Sequence, residues 1–168
     1  MSADAPSPHL LIVWHSRTGA SERMARAAQE GACTANPASL LLRADEVSAD
    51  ALLAAGAYLF VCPENLAALS GLMKEMFDRT YYDVLGRIAG RGYATIIAAG
   101  SDGEGAQRQL DRIVTGWRLR RVAEPMIVNF TAQTPEAIAA PKHPGDKVLK
   151  SCRDLGEGLA EGILLGLF

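Results

Sequence analysis

The sequence lacks the features that would commit it to several large classes of protein. It carries three cysteines in 168 residues, Cys33, Cys62 and Cys152, with no C-x-x-C pair among them. Neither a disulfide framework nor a thiolate metal site is expected, and reduced thiols of a cytoplasmic protein are the expectation instead. No uninterrupted apolar run approaches the ~18–20 residues of a membrane-spanning helix. Residues 1–8 have no basic stretch followed by a long apolar one, so the start of the chain reads as a loose tail and not as a signal peptide. A formal net charge of −2 supplies neither the basic footprint of a nucleic-acid binder nor an acidic excess that would steer the protein onto basic partners. There is no internal repeat. With 49% hydrophobic residues, the chain has the composition of an ordinary soluble globular protein and a length that implies one domain, residues 9–168.

What is present is an alternation of apolar runs and amphipathic stretches. The first run, His9 to Trp14, ends abruptly in a small, hydroxyl-rich loop, Ser16-Arg17-Thr18-Gly19-Ala20-Ser21, and an amphipathic segment follows. This is the pattern of a buried strand, a tight turn and the first turn of a helix. Such a junction points main-chain amides and the positive end of a helix dipole at one place, which suits a phosphate. The helix is expected over 21–32, with Gly31 ending it. Leu40-Leu41-Leu42 reads as a short buried strand, and Ser48 as the N-cap of a short helix.

The third run, Ala57 to Cys62, is expected to stop at Pro63, because proline cannot donate to a central ladder. The loop Pro63-Glu64-Asn65-Leu66-Ala67-Ala68-Leu69-Ser70 leads to a helix capped by Ser70, with Leu72, Met73, Met76 and Phe77 on its core face. A fourth strand, Tyr93 to Ala99, runs into Gly100-Ser101-Asp102-Gly103 and a helix at 105–116. A fifth lies within 118–130, broken at Pro125. Residues 134–144 read as a surface loop, and 145–165 as the last helix. Five alternations of strand and helix make an open parallel α/β sheet with helices on both faces. Ligands of such sheets sit beyond the carboxyl ends of the strands. The loops at 15–21, 63–70 and 100–105 share that edge.

Several nucleotide-site patterns fail on these loops. G-x-x-x-x-G-K-[ST] is missing, and G-x-G-x-x-G does not follow the first strand. A receiver domain would need an aspartate where Val61-Cys62-Pro63 stands. The first loop instead resembles the flavodoxin phosphate loop, [ST]-x-[ST]-G-x-[ST]. The second, Pro63-Glu64-Asn65 with Ser70-Gly71, Lys74, Phe77-Asp78-Arg79 and Tyr81-Tyr82, is similar to the signature of flavodoxin-like NAD(P)H-dependent FMN oxidoreductases. Gly100 to Gly105 resembles the third flavin loop of that family.

The resemblance implies a three-layer flavodoxin-like fold with a five-stranded parallel sheet in the order 2-1-3-4-5. It implies FMN, with its phosphate on Ser16, Arg17, Thr18, Gly19, Ala20 and Ser21. Its ring and ribityl chain would lie against Pro63, Glu64, Asn65 and Leu66, with Gly100, Ser101, Asp102 and Gly103 closing the other side. NADPH or NADH would be the electron donor, a quinone or flavin the acceptor, and a homodimer or homotetramer the assembly. No side-chain acid or base and no metal is required, because the flavin carries the chemistry. The chain departs from the pattern at Leu66-Ala67-Ala68, where family members often carry an aromatic and a glycine.

Two other functions from the same resemblance are a flavodoxin-type electron carrier, which is usually far more acidic than −2, and a non-catalytic FMN-binding protein. A hydrolase built on Ala99-Gly100-Ser101-Asp102-Gly103 misses the first glycine of G-x-S-x-G and would have to recruit His143. His15 stands beside the phosphate loop, and Cys62 beside the flavin side of the sheet. Tyr81 and Tyr82 are candidates for a subunit contact.

Overall fold

The computed structural model describes residues 8–168; the tail expected over 1–8 lies, apart from Pro8, outside the described residues. Among the described residues seven strands form: β1 (His9–Trp14), β2 (Leu40–Arg43), β3 (Ala55–Asn65), β4 (Ala68–Leu69), β5 (Gly92–Ala99), β6 (Arg120–Arg121) and β7 (Met126–Asn129). The helices are α1 (Ala20–Ala35), α2 (Ala49–Ala54), α3 (Gly71–Val84), α4 (Glu104–Gly116), α5 (Pro135–Ala139) and α6 (Asp146–Leu164), with a single 3-10 turn at Ala44–Glu46.

The main sheet is parallel, in the order β2-β1-β3-β5-β6. The five expected strands become seven for two reasons. The fifth splits at Pro125 into β6, which pairs with Gly92 and Tyr93, and β7, which pairs with Ile96 to Ala99. β3 also folds back on itself, pairing antiparallel with β4 through Glu64–Leu69 and Asn65–Ala68.

Alternation along the central strands sends side chains to opposite faces, and each face has its own core. Leu10 and Ile12 of β1 pack with Leu59 and Val61 of β3 beneath α1 and α6. Leu11, Val13, Phe60 and Cys62 pack beneath α3 and α4, with Met73, Met76, Phe77, Leu110 and Trp117. β1, β3 and β5 are buried on both sides, as the continuous apolar runs require.

Six local expectations are corrected. Leu40-Leu41-Leu42 is not buried: β2 is the sheet's edge, and Leu40 is exposed. β3 does not stop at Pro63, which still pairs with Ala98. Main-chain groups alternate between neighbours, and Val61 faces β1, where its carbonyl accepts the amide of His15. Pro63 therefore faces the same side, just past the end of β1, where its missing N–H has no ladder to break. Gly31 does not end α1 but lies inside it, where a Cβ would overlap the main chain of Arg153 on α6. Leu72 is exposed and off the core face of α3. Residues 134–144 are not simply a loop, because Thr134 caps the short α5 through the Ala137 amide, 3.2 Å from its Oγ1. Of the two serine caps expected, Ser48 makes its bond, Oγ accepting the Ala51 amide at 3.1 Å, whereas Ser70 stands at the N-cap of α3 with its Oγ unpartnered among the described residues.

Candidate functional site

The carboxyl ends of β1, β3, β5 and β7 open onto one edge of the sheet, and the loops that leave them frame a cavity of about 310 Å³. Of the first loop, Arg17, Thr18 and Ala20 line it; of the second, Pro63, Glu64 and Asn65. Ala98, Ala99 and Gly100 form the floor along β5.

The first loop is tied by one of its own side chains. Gly19 has φ 92°, a left-handed conformation that glycine adopts without a Cβ penalty, and it stands at the N-cap of α1 with no side-chain cap. The hydroxyl of Ser16 accepts the Gly19 amide at 3.0 Å. The first intrahelical bond runs from the Arg23 amide to the Gly19 carbonyl. The amides of Ala20, Ser21 and Glu22 precede it and project from the positive end of a 16-residue helix. Ser21 is buried, and its Oγ has no hydrogen-bond partner among the described residues. Ser39 Oγ and Ser70 Oγ are likewise unpartnered among the described residues; Ser21 differs from them in standing in the turn of which Ala20, Thr18 and Arg17 line the cavity.

His15 Nδ1 is also buried and unpartnered among the described residues. Desolvation lowers its pKa below 6.5, and the nearby Arg43 and Arg17 push the same way against Asp45. A histidine with a lowered folded-state pKa takes its proton in the unfolded chain first. Its contribution is therefore intact above pH 6.5 and is lost as the pH falls below that value. Urea midpoints measured at pH 7.5, 6.5 and 5.5 are expected to decline towards acid, and His15→Asn is expected to flatten the decline.

The second and third loops form one body. Between β3 and β4, Leu66 and Ala67 take φ values of 52° and 60°, the two left-handed positions of a type I′ hairpin turn that Asn-Gly normally fills. Each costs about 1–2 kcal/mol in a residue with a Cβ. Leu66 is fully exposed, with its side chain outside the cavity. The Ala67 carbonyl presses on Gly105, where any Cβ would overlap it. Glu64 reaches across, its Oε1 accepting the Gly103 amide at 2.9 Å and its Oε2 the Ala106 amide at 3.0 Å. This carboxylate caps α4, whose N-cap Gly103 (φ 93°) has no other side-chain cap. Gln109 Oε1 accepts the Leu69 amide at 2.7 Å, a second tie. Ser101 and Asp102 are exposed, and Gly103 is buried behind the wall.

Cys62 lies at the base of the second loop. Burial pushes its thiol up to about 12, only partly opposed by the Ser70 amide, so it is a neutral thiol at physiological pH.

The remaining wall comes from a strap that the sequence did not single out. Phe130, Ala132, Ile138, Ala139 and Lys142 all line the cavity. The Phe130 amide bonds Ala99 O at 2.8 Å and the Ala132 amide bonds Gly100 O at 2.7 Å. The strap then returns, and the Lys142 amide donates to Thr18 O at 2.8 Å. Lys142 Nζ donates to the carbonyls of Ala137, Ile138 and Ala140 and so caps the end of α5. One signal was available: whatever follows the last parallel strand must emerge at the ligand edge. His143, beside the strap, has no role in this geometry.

No protein-family model matches the chain. Among curated proteins, the flavodoxin of Aquifex aeolicus (strain VF5) is 27% identical over 163 residues, spanning 93% of this chain and 87% of that protein. Among solved structures, a flavodoxin from the domain Archaea superposes with a TM-score of 0.75 at 20% identity, covering 93% of this chain and 99% of that one. A flavodoxin, WrbA-like protein from Agrobacterium tumefaciens gives 0.67 at 19% identity, with 95% and 99% coverage. The flavodiiron core from Synechocystis sp. PCC6803 gives 0.77 at 17% identity, matching 96% of this chain and 37% of that longer one.

Proposed function

We propose that this flavodoxin-like chain binds FMN across its loop cluster and passes electrons from NADH or NADPH to a small acceptor such as a quinone or a free flavin. The observation that carries the reading is the buried, unpartnered hydroxyl of Ser21 in the uncapped first turn of α1. The cavity leads from that turn to the loops at Pro63 and Gly100. A phosphate monoester at Ser16–Ser21 would satisfy the hydroxyl and the three leading amides together.

The residues present fit the group. The cavity has the volume of a small-cofactor cleft and is mostly apolar. Phe130 is the one aromatic lining it among the described residues, which answers the absence of an aromatic after Asn65. Bound there, the flavin would supply hydride and one-electron chemistry that no side chain of this protein can. The chain's own residues bind, orient and exclude water. Pro63, Glu64, Asn65 and Gly100 would meet the ring and ribityl chain, Leu66 through its backbone alone. Glu64 also holds the second and third loops in register. The neutral thiol of Cys62 leaves no thiolate nucleophile to add to the ring.

Titration of the purified chain is expected to quench FMN fluorescence to saturation and to raise thermal stability in step. Ser21→Ala discriminates sharply, because an unpartnered buried hydroxyl carries an uncompensated desolvation cost in the empty fold. The variant is expected to be more stable than the parent without FMN, by about 1–3 kcal/mol, and yet to bind FMN about 10- to 100-fold more weakly, the value of a hydrogen bond to a charged group. Unchanged FMN affinity in Ser21→Ala, or no FMN binding at all, would overturn the proposal.

The electron-carrier reading is favoured by similarity to the Aquifex flavodoxin along 93% of the chain. A net charge of −2 gives it little steering onto basic partners. Rapid mixing of the FMN-loaded protein with NADPH and NADH separates the two: prompt loss of flavin colour supports the reductase, and none supports the carrier.

A further inference from the structure

A second concavity, of about 380 Å³, lies between α3 and α4 and shares no lining residue with the loop-cluster cavity. Three aromatic rings, one amide and one guanidinium converge on it. Tyr81 and Tyr82 stand nearly perpendicular, at 79° with centroids 5.3 Å apart. Tyr81 is fixed from behind by stacking on the buried Trp117 at 5.7 Å, and the Trp117 indole N–H donates to the Tyr81 carbonyl at 3.1 Å. Tyr82 is 81% exposed, far more than a core role requires. Phe77 completes the apolar floor.

The polar groups are sorted. Lys74 is neutralised by Asp78, 2.6 Å away on the same helix. Arg112, exposed on α4 across the groove, has no carboxylate within 4.0 Å among the described residues. Gln109 has its carbonyl committed to the Leu69 amide, which fixes the side chain and leaves its NH₂ as the free donor in the groove. A ring held by Trp117, an exposed second ring at right angles to it, a held amide donor and an unneutralised guanidinium are the parts of a site for a flat ring with a carboxylate at one end.

We infer that the α3–α4 groove is a second ligand site, for a planar aromatic carboxylate that stacks on Tyr82 and pairs with Arg112. The ring lies in the angle between Tyr81 and Tyr82, and the carboxylate takes the guanidinium in a two-point contact with Gln109 donating beside it. The chemistry of this groove is independent of which cofactor occupies the other cavity.

The test uses the full chain with 2-naphthoate as probe and 2-naphthamide as its uncharged counterpart. Calorimetric titration is expected to give saturable binding of 2-naphthoate with Kd below about 1 mM, and binding of the amide at least tenfold weaker. Arg112→Gln and Tyr82→Ala are each expected to weaken 2-naphthoate tenfold or more, while Arg118→Gln, outside the groove, leaves it unchanged. Both groove side chains are solvent-exposed, so these variants fold. The indole N–H signal of Trp117 is expected to move on titration and that of Trp14 to stay, a readout that FMN binding does not share. Equal binding of acid and amide, or full binding in both groove variants, would overturn the inference, as would movement of the Trp14 signal alone or no saturable binding.

Discussion

Glu64→Ala is expected to lower the unfolding free energy by about 2–3 kcal/mol and to weaken FMN binding by about tenfold or more. Its two carboxylate oxygens accept the Gly103 and Ala106 amides, and bonds of this charge-assisted kind contribute about 1.5–3 kcal/mol each. Partial exposure of the side chain places the pair near the low end of their sum. The Gly103 and Ala106 amides at the start of α4 would be left without that acceptor, and the positive end of the α4 dipole without its anion. The hairpin would keep only Gln109 and the contact at Gly105 to hold it, so the wall formed by Pro63, Glu64 and Asn65 would lose its fixed distance from Gly100. Glu64→Gln retains one acceptor oxygen and no charge, and should fall between the two. Urea midpoints and FMN fluorescence titrations on the same three proteins check this. Parent-like stability in the alanine variant would show that the clamp holds nothing, whatever happens to FMN.

The second large effect lies on the opposite face of the sheet. Gly31 of α1 and Gly156 of α6 face one another's helices so closely that a Cβ on either would overlap partner main chain, at Arg153 and Ala28 respectively. Neither backbone can retreat without moving a helix that also covers β1 and β3. Gly156→Val is therefore expected to cost about 3 kcal/mol or more, a fall in Tm of roughly 6–12 °C for a chain of this length. Gly158, two residues on, has nothing within 4 Å of the place a Cβ would take. Gly158→Ala should raise stability by up to about 1 kcal/mol through helix propensity alone. Differential scanning calorimetry of the pair gives opposite signs if the crossing is what requires glycine. Equal shifts would assign both effects to propensity.

The contrast between these two glycines also shows where the sequence stops being informative. Apolar periodicity located every central strand and long helix, because burial on two faces leaves a strong pattern in β1, β3 and β5. The hydroxyl-rich turn after β1 announced the ligand edge, because an uncapped helix start needs small residues around it. Periodicity says nothing about how close two helices come, and Gly31 carried the same letter whether it ended α1 or admitted α6. Leu40-Leu41-Leu42 looked buried because three leucines cannot report that no strand lies beyond them. Glu64 was legible as a member of the site but not as a helix cap, since its partners are 39 and 42 residues away. The strap at 130–142 was missed for a different reason: only its start at the ligand edge could be anticipated. What ties it over the cavity is main-chain bonds to Ala99, Gly100 and Thr18, and main-chain groups leave no residue-type signature.

The break at Pro125 bears on how copies of this chain meet one another in a crowded cell. A parallel sheet has two outer strands whose unpaired amides and carbonyls invite another chain to extend the ladder. Here one border is β2, four residues long and ending at Arg43, and the other is interrupted between the two-residue β6, Arg120-Arg121, and the four-residue β7. An incoming strand would find no run longer than four residues on either side, with guanidinium groups at Arg43, Arg120 and Arg121 to desolvate. Fibril-like extension is thereby discouraged at both borders, and self-association is left to the helical faces.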